Sequence, residues 1–388
     1  MPTLKTIDAS LSEAVERKAM PGLIAMAAGE RGLIYEGAFG RRDLATNVAM
    51  TPDTVVWIAS MTKAITATAA MQLVERGKLA LDGPAVTVVP ELGAAKVLEG
   101  FDAAGQPRLR APKRPITLRH LLTHTAGYGY EIFSAAIAQY QTATGTPGIT
   151  TCTNAALTTP LLFDPGDRWE YGINIDWAGK MVEAVSGQRL DRYLEQNIFG
   201  PLGMRDTSFK LSPSQQSRLA SVHQRGADGT LAPIEFGLPQ EPEFLMGGGG
   251  LYSTAGDYLR FAQMIMRDGA LDGAAVLRPQ TVAQMAQNHI GQLESGVLQT
   301  AMPELSRDVD PFPGMSKKWG LSFLINTEQS PTGRSAGSLY WAGLANTYFW
   351  VDRRKKVCGV FLSQVLPFFD ETAAGLFATF ETEIYRAL

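Results

Sequence analysis

VVWIASMTKAITATAAMQLVERGKLAL, residues 55–81, is the stretch on which the reading of this chain turns. A short apolar segment ends at Trp57-Ile58, and Ser60 then precedes a long run rich in Ala, Thr and Met that reads as a helix. Side chains three apart share a helical face, so the spacing brings the Lys63 amine toward the Ser60 hydroxyl. The free N–H groups of a first helical turn favour negative charge developing beside that serine.

The chemistry limits what each group can be. A serine hydroxyl is a weak nucleophile and needs a base, whereas an exposed lysine, with a pKa of ~10.4, is protonated and cannot serve. Lys63 therefore has to be buried, because desolvation and nearby positive potential lower an amine pKa. A phenol within reach would share or relay the proton, and Tyr171 is the candidate. The tetrad Ser60-Met61-Thr62-Lys63 alone also fits a helix N-cap at Ser60 with a solvated Lys63.

Other motifs accompany the tetrad in a fixed order: Met20-Pro21-Gly22, His120-Leu121-Leu122-Thr123-His124-Thr125-Ala126-Gly127, Phe163-Asp164-Pro165-Gly166, Tyr171-Gly172-Ile173, Pro201-Leu202-Gly203-Met204, the run 247–254 and Trp341-Ala342-Gly343. With this set the chain resembles the serine β-lactamase-like superfamily, most closely its carboxylesterase branch, the family VIII esterases. The resemblance implies an α+β, two-lobed architecture similar to class C β-lactamases and D-Ala-D-Ala peptidases. It would have an antiparallel sheet flanked by helices, plus a mostly helical lobe. It further implies that Ser60 is acylated, that Lys63 and Tyr171 shuttle its proton, and that Trp341-Ala342-Gly343 lies on an edge strand of the cleft. The oxyanion hole would be the backbone N–H groups of Ser60 and Leu344.

Departures from the β-lactamase pattern bear on substrate. The tyrosine motif of those relatives is Tyr-x-Asn, but Ile173 stands in the third position here and Asn174 follows it. Where they carry Lys-Thr-Gly, this chain has Trp341-Ala342-Gly343, so an indole replaces a cation. The expectation is a serine carboxylesterase for neutral, short-to-medium-chain acyl esters, working through acyl-Ser60 without a cofactor. Substrate contacts are expected from Tyr128, Tyr130, Ile173, Tyr340, Trp341, Ala342, Gly343 and Tyr348, although an aromatic wall and ordinary packing are both open readings of the tyrosines. A β-lactamase or D-amino-acid peptidase, an acyltransferase, and a silent binding protein of the same fold are the competing functions.

Two other patterns invite chemistry. Gly333-Arg334-Ser335-Ala336-Gly337 matches Gly-x-Ser-x-Gly, but it follows a polar turn and leads into a strand, opposite to the strand-turn-helix that a nucleophile elbow requires. Ser335 is therefore set aside. His120 and His124 are four apart, yet no His-Glu-x-x-His pattern or third ligand accompanies them, so no metal is expected. Gly247-Gly248-Gly249-Gly250 lacks the Lys and hydroxyl of a phosphate loop and reads as a close-packed passage before a helix over 254–267, with Thr254 as N-cap.

At 388 residues and 45% hydrophobic content the chain can bury a large core, and its formal charge of −3 gives no basic surplus for nucleic acid. Two cysteines, Cys152 and Cys358, make no disulfide framework. No apolar segment is long enough to span a membrane and the N-terminus lacks a secretion-signal pattern, so a soluble cytoplasmic enzyme acting on a small-molecule ester is expected. Strand-like stretches at 22–39, 319–325, 340–351 and 356–363, with a terminal helix at 371–388, point to a mixed lobe of residues 1–63 and 225–388. Residues 64–224 read as an inserted helical lobe, with the site in the cleft between them. Loops are expected at 98–115, 142–152 and 292–314, either rimming the entrance or lying clear of it.

Overall fold

The computed structural model describes residues 2–388. Its centre is an eight-stranded, wholly antiparallel sheet. In chain order its strands are β1 (Gly22–Gly29), β2 (Gly32–Asp43), β3 (Val48–Ala49), β4 (Lys317–Trp319), β5 (Leu324–Asn326), β6 (Leu339–Gly343), β7 (Thr347–Asp352) and β8 (Val357–Leu362). Their spatial order is β4-β5-β6-β7-β8-β1-β2-β3, so the two ends of the chain meet where β8 pairs with β1. Every residue of β1, β6, β7 and β8 is buried, which is why these strands are apolar almost throughout rather than alternating.

Helices cover both faces. On one side lie α1 (Pro2–Glu16) and the terminal α5 (Glu371–Ala387), which pack on each other. On the other lies α4 (Ala255–Met266), against β1, β7 and β8. Thr254 caps α4 by accepting the Asp257 N–H, while Asp257 turns its carboxylate to Asp206 N and Thr207 Oγ1. Thr254 is thus the N-cap that the sequence marks, and the Asp257 side chain is engaged elsewhere.

The intervening part of the chain carries α2 (Thr62–Glu75) and α3 (Asn174–Ser186), which pack together, and many short turns. Both borders drawn from sequence fall inside elements: 63/64 lies within α2, and 224/225 lies within the strand His223–Arg225, which pairs in parallel with Val365–Leu366. Residues 98–115 are not simply a loop. Val97–Phe101 and Pro107–Arg110 form a hairpin, whose turn is closed by Asp102 Oδ1 accepting the N–H groups of Ala104 and Gln106. No helix among the described residues is long and apolar enough to cross a membrane.

Candidate active site

The segment before α2 turns once as a 3-10 helix, Ala59–Met61, so Ser60 precedes the α-helix proper. Ala59 holds a φ of 43°, a left-handed conformation that costs energy for any residue with a Cβ. Surrounding bonds fix it there. Ile58 N donates to Leu251 O at 3.0 Å, Leu251 N donates to Thr62 Oγ1 at 3.1 Å, and Tyr258 OH on α4 donates to Met61 O at 2.9 Å.

β6 approaches this turn closely because it ends in glycine. A Cβ on Gly343 would stand 2.3 Å from both Ile58 O and Thr347 Oγ1. The approach brings Leu344, next in the chain, to the cavity wall beside Ser60. Neither the Ser60 nor the Leu344 amide donates outside its own element among the described residues. β6 is not the outermost strand, since β5 pairs with it at Leu339 and Tyr340, but that pairing stops there and leaves the 341–343 half open toward the site.

Lys63 is 1% exposed and makes three polar contacts. Its Nζ lies 3.0 Å from Ser60 Oγ, 3.0 Å from Tyr130 OH and 2.6 Å from Gly248 O. Gly248 O only accepts, so it takes one N–H. A neutral amine then has a second N–H for Tyr130 and a lone pair for the Ser60 hydroxyl, and an ammonium would use the same three partners as donor. The Ser60 proton can therefore cross to Lys63 without rearrangement. Burial pushes the Lys63 amine well below the ordinary lysine value, opposed by the charge of Asp176.

Tyr171 sits three residues before α3. Trp341 Nε1 donates to its OH at 2.9 Å, and Tyr171 lines the same cavity as Ser60. The Lys63 Nζ stands 4.7 Å from the Tyr171 ring centroid, and its hydrogen bond to a phenol goes to Tyr130. Burial raises the pKa of Tyr171, with its contacts to Ser60 and Trp341 working against it, and burial likewise raises that of Tyr130. Both are phenols at neutral pH, which leaves the amine as the proton acceptor. The phenol in direct contact with Lys63 is thus Tyr130, while Tyr171 attends Ser60. Sequence reasoning gave the Lys63 contact to Tyr171 alone.

His124 backs Tyr171, with ring centroids 4.8 Å apart. Its Nδ1 accepts from Gly172 N at 3.4 Å and faces Asn174 Nδ2 at 3.0 Å, and burial lowers its pKa well below the usual value. His120 instead accepts Thr117 N at its Nδ1 within a capping box. Both imidazoles are committed to holding backbone or amide groups, and among the described residues no group of three or more His, Cys, Asp and Glu could hold a metal.

Of two groups at the centre, Asp176 is not marked by the sequence, and the glycine run is marked only as a close-packed passage. Asp176, on the first turn of α3, is fully buried and accepts Gly248 N at 2.8 Å through Oδ1. The glycine run supplies three successive carbonyls that fasten the site: Gly247 O to Thr66 Oγ1, Gly248 O to Lys63 and Gly249 O to Trp57 Nε1. The composition of the run flagged a close backbone approach, but its partners lay far away in sequence.

The cleft over Ser60 is narrow, with about 50 Å³ open to the centre of a water-sized sphere. Trp57, Ile132, Phe133, Met246, Leu344 and Phe368 supply much of its apolar wall, and among the described residues no charged side chain lines it. Of the residues expected to touch substrate, Tyr130, Trp341, Ala342 and Gly343 line this cavity. Tyr128, Ile173, Tyr340 and Tyr348 do not. Tyr128 faces a separate surface groove, where its ring stacks on Trp177. Ile173 is buried at the start of α3. Tyr340 and Tyr348 occupy the opposite face of the sheet and stack on Phe377 of α5, because strand alternation puts them out of phase with Trp341. The Asn174 amide donates to Tyr128 O at 3.2 Å and is fully buried, so it is not turned toward the cavity. Ile149 and Thr150, from the expected 142–152 loop, line the cavity, whereas no residue of 292–314 does.

Comparison with known proteins bears on the family and the fold. A family model described as Beta-lactamase matches residues 7–380. Monacolin J acid methylbutanoyltransferase of Aspergillus terreus (strain NIH 2624 / FGSC A1156) is 35% identical over 403 residues, covering 98% of this chain and 95% of its own. Lovastatin esterase of Penicillium rubens is 32% identical, with 98% of each chain covered. Among solved structures, unliganded selenomethionyl simvastatin synthase from Aspergillus terreus superposes with a TM-score of 0.88 at 32% identity, covering 100% of this chain and 99% of that one.

Proposed function

The chain belongs to the beta-lactamase family and shares its fold, and from that premise we propose that it cleaves neutral, apolar carboxylic esters by transferring their acyl group to Ser60. Relatives that are acyltransferases and esterases support acyl transfer or hydrolysis at a serine, and the choice of ester is our reading. The observation that carries it is the 3.0 Å contact between Ser60 Oγ and a buried Lys63 whose proton affinity is lowered.

In the first stage Lys63 Nζ takes the Ser60 proton as Oγ bonds to the ester carbon. The carbonyl oxygen becomes an oxyanion held by the Ser60 and Leu344 N–H groups, each worth roughly 3 kcal/mol to the transition state. Collapse breaks the bond to the alcohol oxygen, which receives the proton from the Lys63 ammonium through the phenols beside it. In the second stage water gives a proton to Lys63, attacks the acyl carbon and releases the acid with Ser60 restored. The uncharged cavity wall supports a neutral acyl group, since it offers no cation for a substrate carboxylate.

A second reading, transfer to an alcohol in place of water, draws on the near-equal likeness to a methylbutanoyltransferase and an esterase. The test compares p-nitrophenyl acetate, butyrate and octanoate with nitrocefin, for the wild type and Ser60→Ala, with and without an added alcohol. Ser60-dependent ester cleavage well above nitrocefin turnover is expected. The reverse order makes the protein a β-lactamase, and more ester product than free acid in the presence of alcohol makes it a transferase.

A further inference from the structure

Burial lowers the proton affinity of Lys63, yet in each stage of the cycle it has to take up a proton and give it back, so a group that stabilises its ammonium bears directly on catalysis. Among the described residues no carboxylate contacts its Nζ directly. Asp176 stands on the far side of Gly248. Its Oδ1 accepts the Gly248 N–H at 2.8 Å, and the carbonyl of the same residue accepts from Lys63 Nζ at 2.6 Å. Among the described residues Asp176 Oδ2 is buried without a hydrogen-bond partner, an expensive state for a carboxylate that a nearby positive charge offsets. The backbone between them is thin by necessity: a Cβ on Gly248 would lie 2.6 Å from Asp176 Oδ2.

We propose that Asp176 is the counter-charge and positioning partner of Lys63, stabilising through the Gly248 backbone the ammonium that forms when Lys63 takes the Ser60 proton. This rests on the acyl-Ser60 reading above. Asp176 touches neither substrate nor Ser60, so its part is to hold Gly248 O toward Lys63 and to keep the amine basic enough to act. The electrostatics run the same way, since the Asp176 charge raises the Lys63 pKa that burial lowers, and burial raises the Asp176 pKa while Lys63 lowers it. The other titratable groups around the pair do not supply this charge. Tyr130 and Tyr171 are held as phenols and His124 as neutral imidazole, while burial pushes the Cys152 thiol up to about 12. Burial also raises the carboxyl of Glu131, which acts on Tyr130.

The test is the pH profile of kcat/KM for Asp176→Asn, normalised to active sites counted with an organophosphonate. The amide oxygen of Asn keeps the Gly248 N–H bond, so the backbone stays in place and only the charge is removed. Activity requires neutral Lys63. Removing the carboxylate lowers the Lys63 pKa, so the acid limb should move to lower pH by about one unit or more, and the plateau should fall about tenfold because the base is weaker. Asp176→Glu, which restores the charge, should bring the limb back toward its wild-type position. An acid limb that stays in place or moves to higher pH in Asp176→Asn overturns the proposal. If wild-type Ser60 is not phosphonylated at all, the acyl-Ser60 reading fails first. Normal labelling with an unmoved limb sinks only the role of Asp176.

Should Asp176→Asn not fold, the wild-type protein decides. Asp176-Trp177 is the one Asp-Trp pair in the chain, so dual isotope labelling assigns its carboxyl by NMR. A carboxyl resonance that titrates together with the acid limb of activity is expected, as coupled groups share their transitions. A resonance that is flat across that limb overturns the proposal.

Discussion

Strand β6 separates two buried cations, each next to a serine, and they behave in opposite ways. On one side Lys63 and Ser60 face Tyr171 and Trp341; on the other Arg334 and Ser335 lie beneath Tyr340 and α5. Arg334 and Glu381 are each 1% exposed and pair through two parallel bonds, from Nε to Oε1 and from Nη2 to Oε2. Its guanidinium lies 4.4 Å from the Tyr340 ring centroid. Burial disfavours the charge, but Glu381 overcomes it and the Arg334 pKa rises. Lys63 has its counter-charge one residue of backbone away, and burial wins. A direct, forked pair fixes a proton in place, whereas a separated pair leaves the proton free to move. The first compartment can do acid–base chemistry and the second can only hold the fold.

The sharpest way to break this contrast is to remove the two serines. Ser60→Ala should cut ester turnover by about 10⁴-fold or more and abolish phosphonate labelling, with an unchanged melting temperature. Ser335→Ala should leave turnover and labelling as they are. Its carbonyl accepts from Asn326 Nδ2 at 2.9 Å and its N–H donates to Asp352 Oδ2 at 2.8 Å, both of which survive the change. Labelling that persists in Ser60→Ala would place the nucleophile elsewhere.

Removing the cations should separate activity from stability. Lys63→Met is expected to lower kcat by about 10³-fold, as for loss of a general base, while costing less than about 2 kcal/mol. The fold already disfavours that charge, and Asp176 has a raised pKa and can take up a proton. Arg334→Met should cost about 3–5 kcal/mol in urea unfolding, because it strands Glu381 in an apolar site. Its kcat per folded molecule should match the wild type. Equal stability losses in the two variants would contradict the distinction.

The pH dependence follows from the same shifts. Lys63 must be neutral, so kcat/KM should rise with pH along an acid limb well below the ~10.4 of a free lysine and fall about tenfold per unit beneath it. For stability the sign is positive. Between its lowered folded value and ~10.4, Lys63 binds more protons when unfolded, so stability relative to Lys63→Met should grow as pH rises through that window. Arg334, held charged in the fold, adds no such slope below the usual arginine range. An acid limb near the free-lysine value would mean that Lys63 is not desolvated in solution.

Much of the first compartment is legible in sequence, for a physical reason. Ser60 and Lys63 sit three apart on one turn, so local geometry alone joins them, and the order of the accompanying motifs brings in Tyr171 and Trp341. The strands at both ends of the chain are also readable, because burial on two faces makes them continuously apolar. Asp176 was hidden, as were the partners of Gly248, since Asp176 lies 72 residues from Gly248 and Gly248 lies 185 from Lys63. The opposite face of β6 was misread, as Tyr340 and Trp341 are neighbours in sequence but strand alternation sends them to different compartments. Tyr348 errs for the same reason: it is the cross-strand partner of Ala342 and stacks on Phe377 at 4.7 Å.

That neighbouring pair gives the finest test. Trp341→Phe keeps the ring in the cavity wall but removes the N–H that Tyr171 accepts at 2.9 Å. With that donor gone the Tyr171 pKa should climb further, and the phenol should lose its fixed orientation beside Ser60. A hydrogen bond of this kind is worth about 1 ± 0.5 kcal/mol, so kcat should fall about fivefold while KM for an apolar ester changes little. Tyr340→Phe also removes one polar atom, one residue away, but on the face packed against Arg334 and Phe377. It should leave kcat, KM and the acid limb alone. If Tyr340→Phe lowers kcat as much as Trp341→Phe, β6 couples its two faces rather than dividing them, and the separation between a mobile and a fixed proton would have to be sought in Lys63 and Asp176 alone.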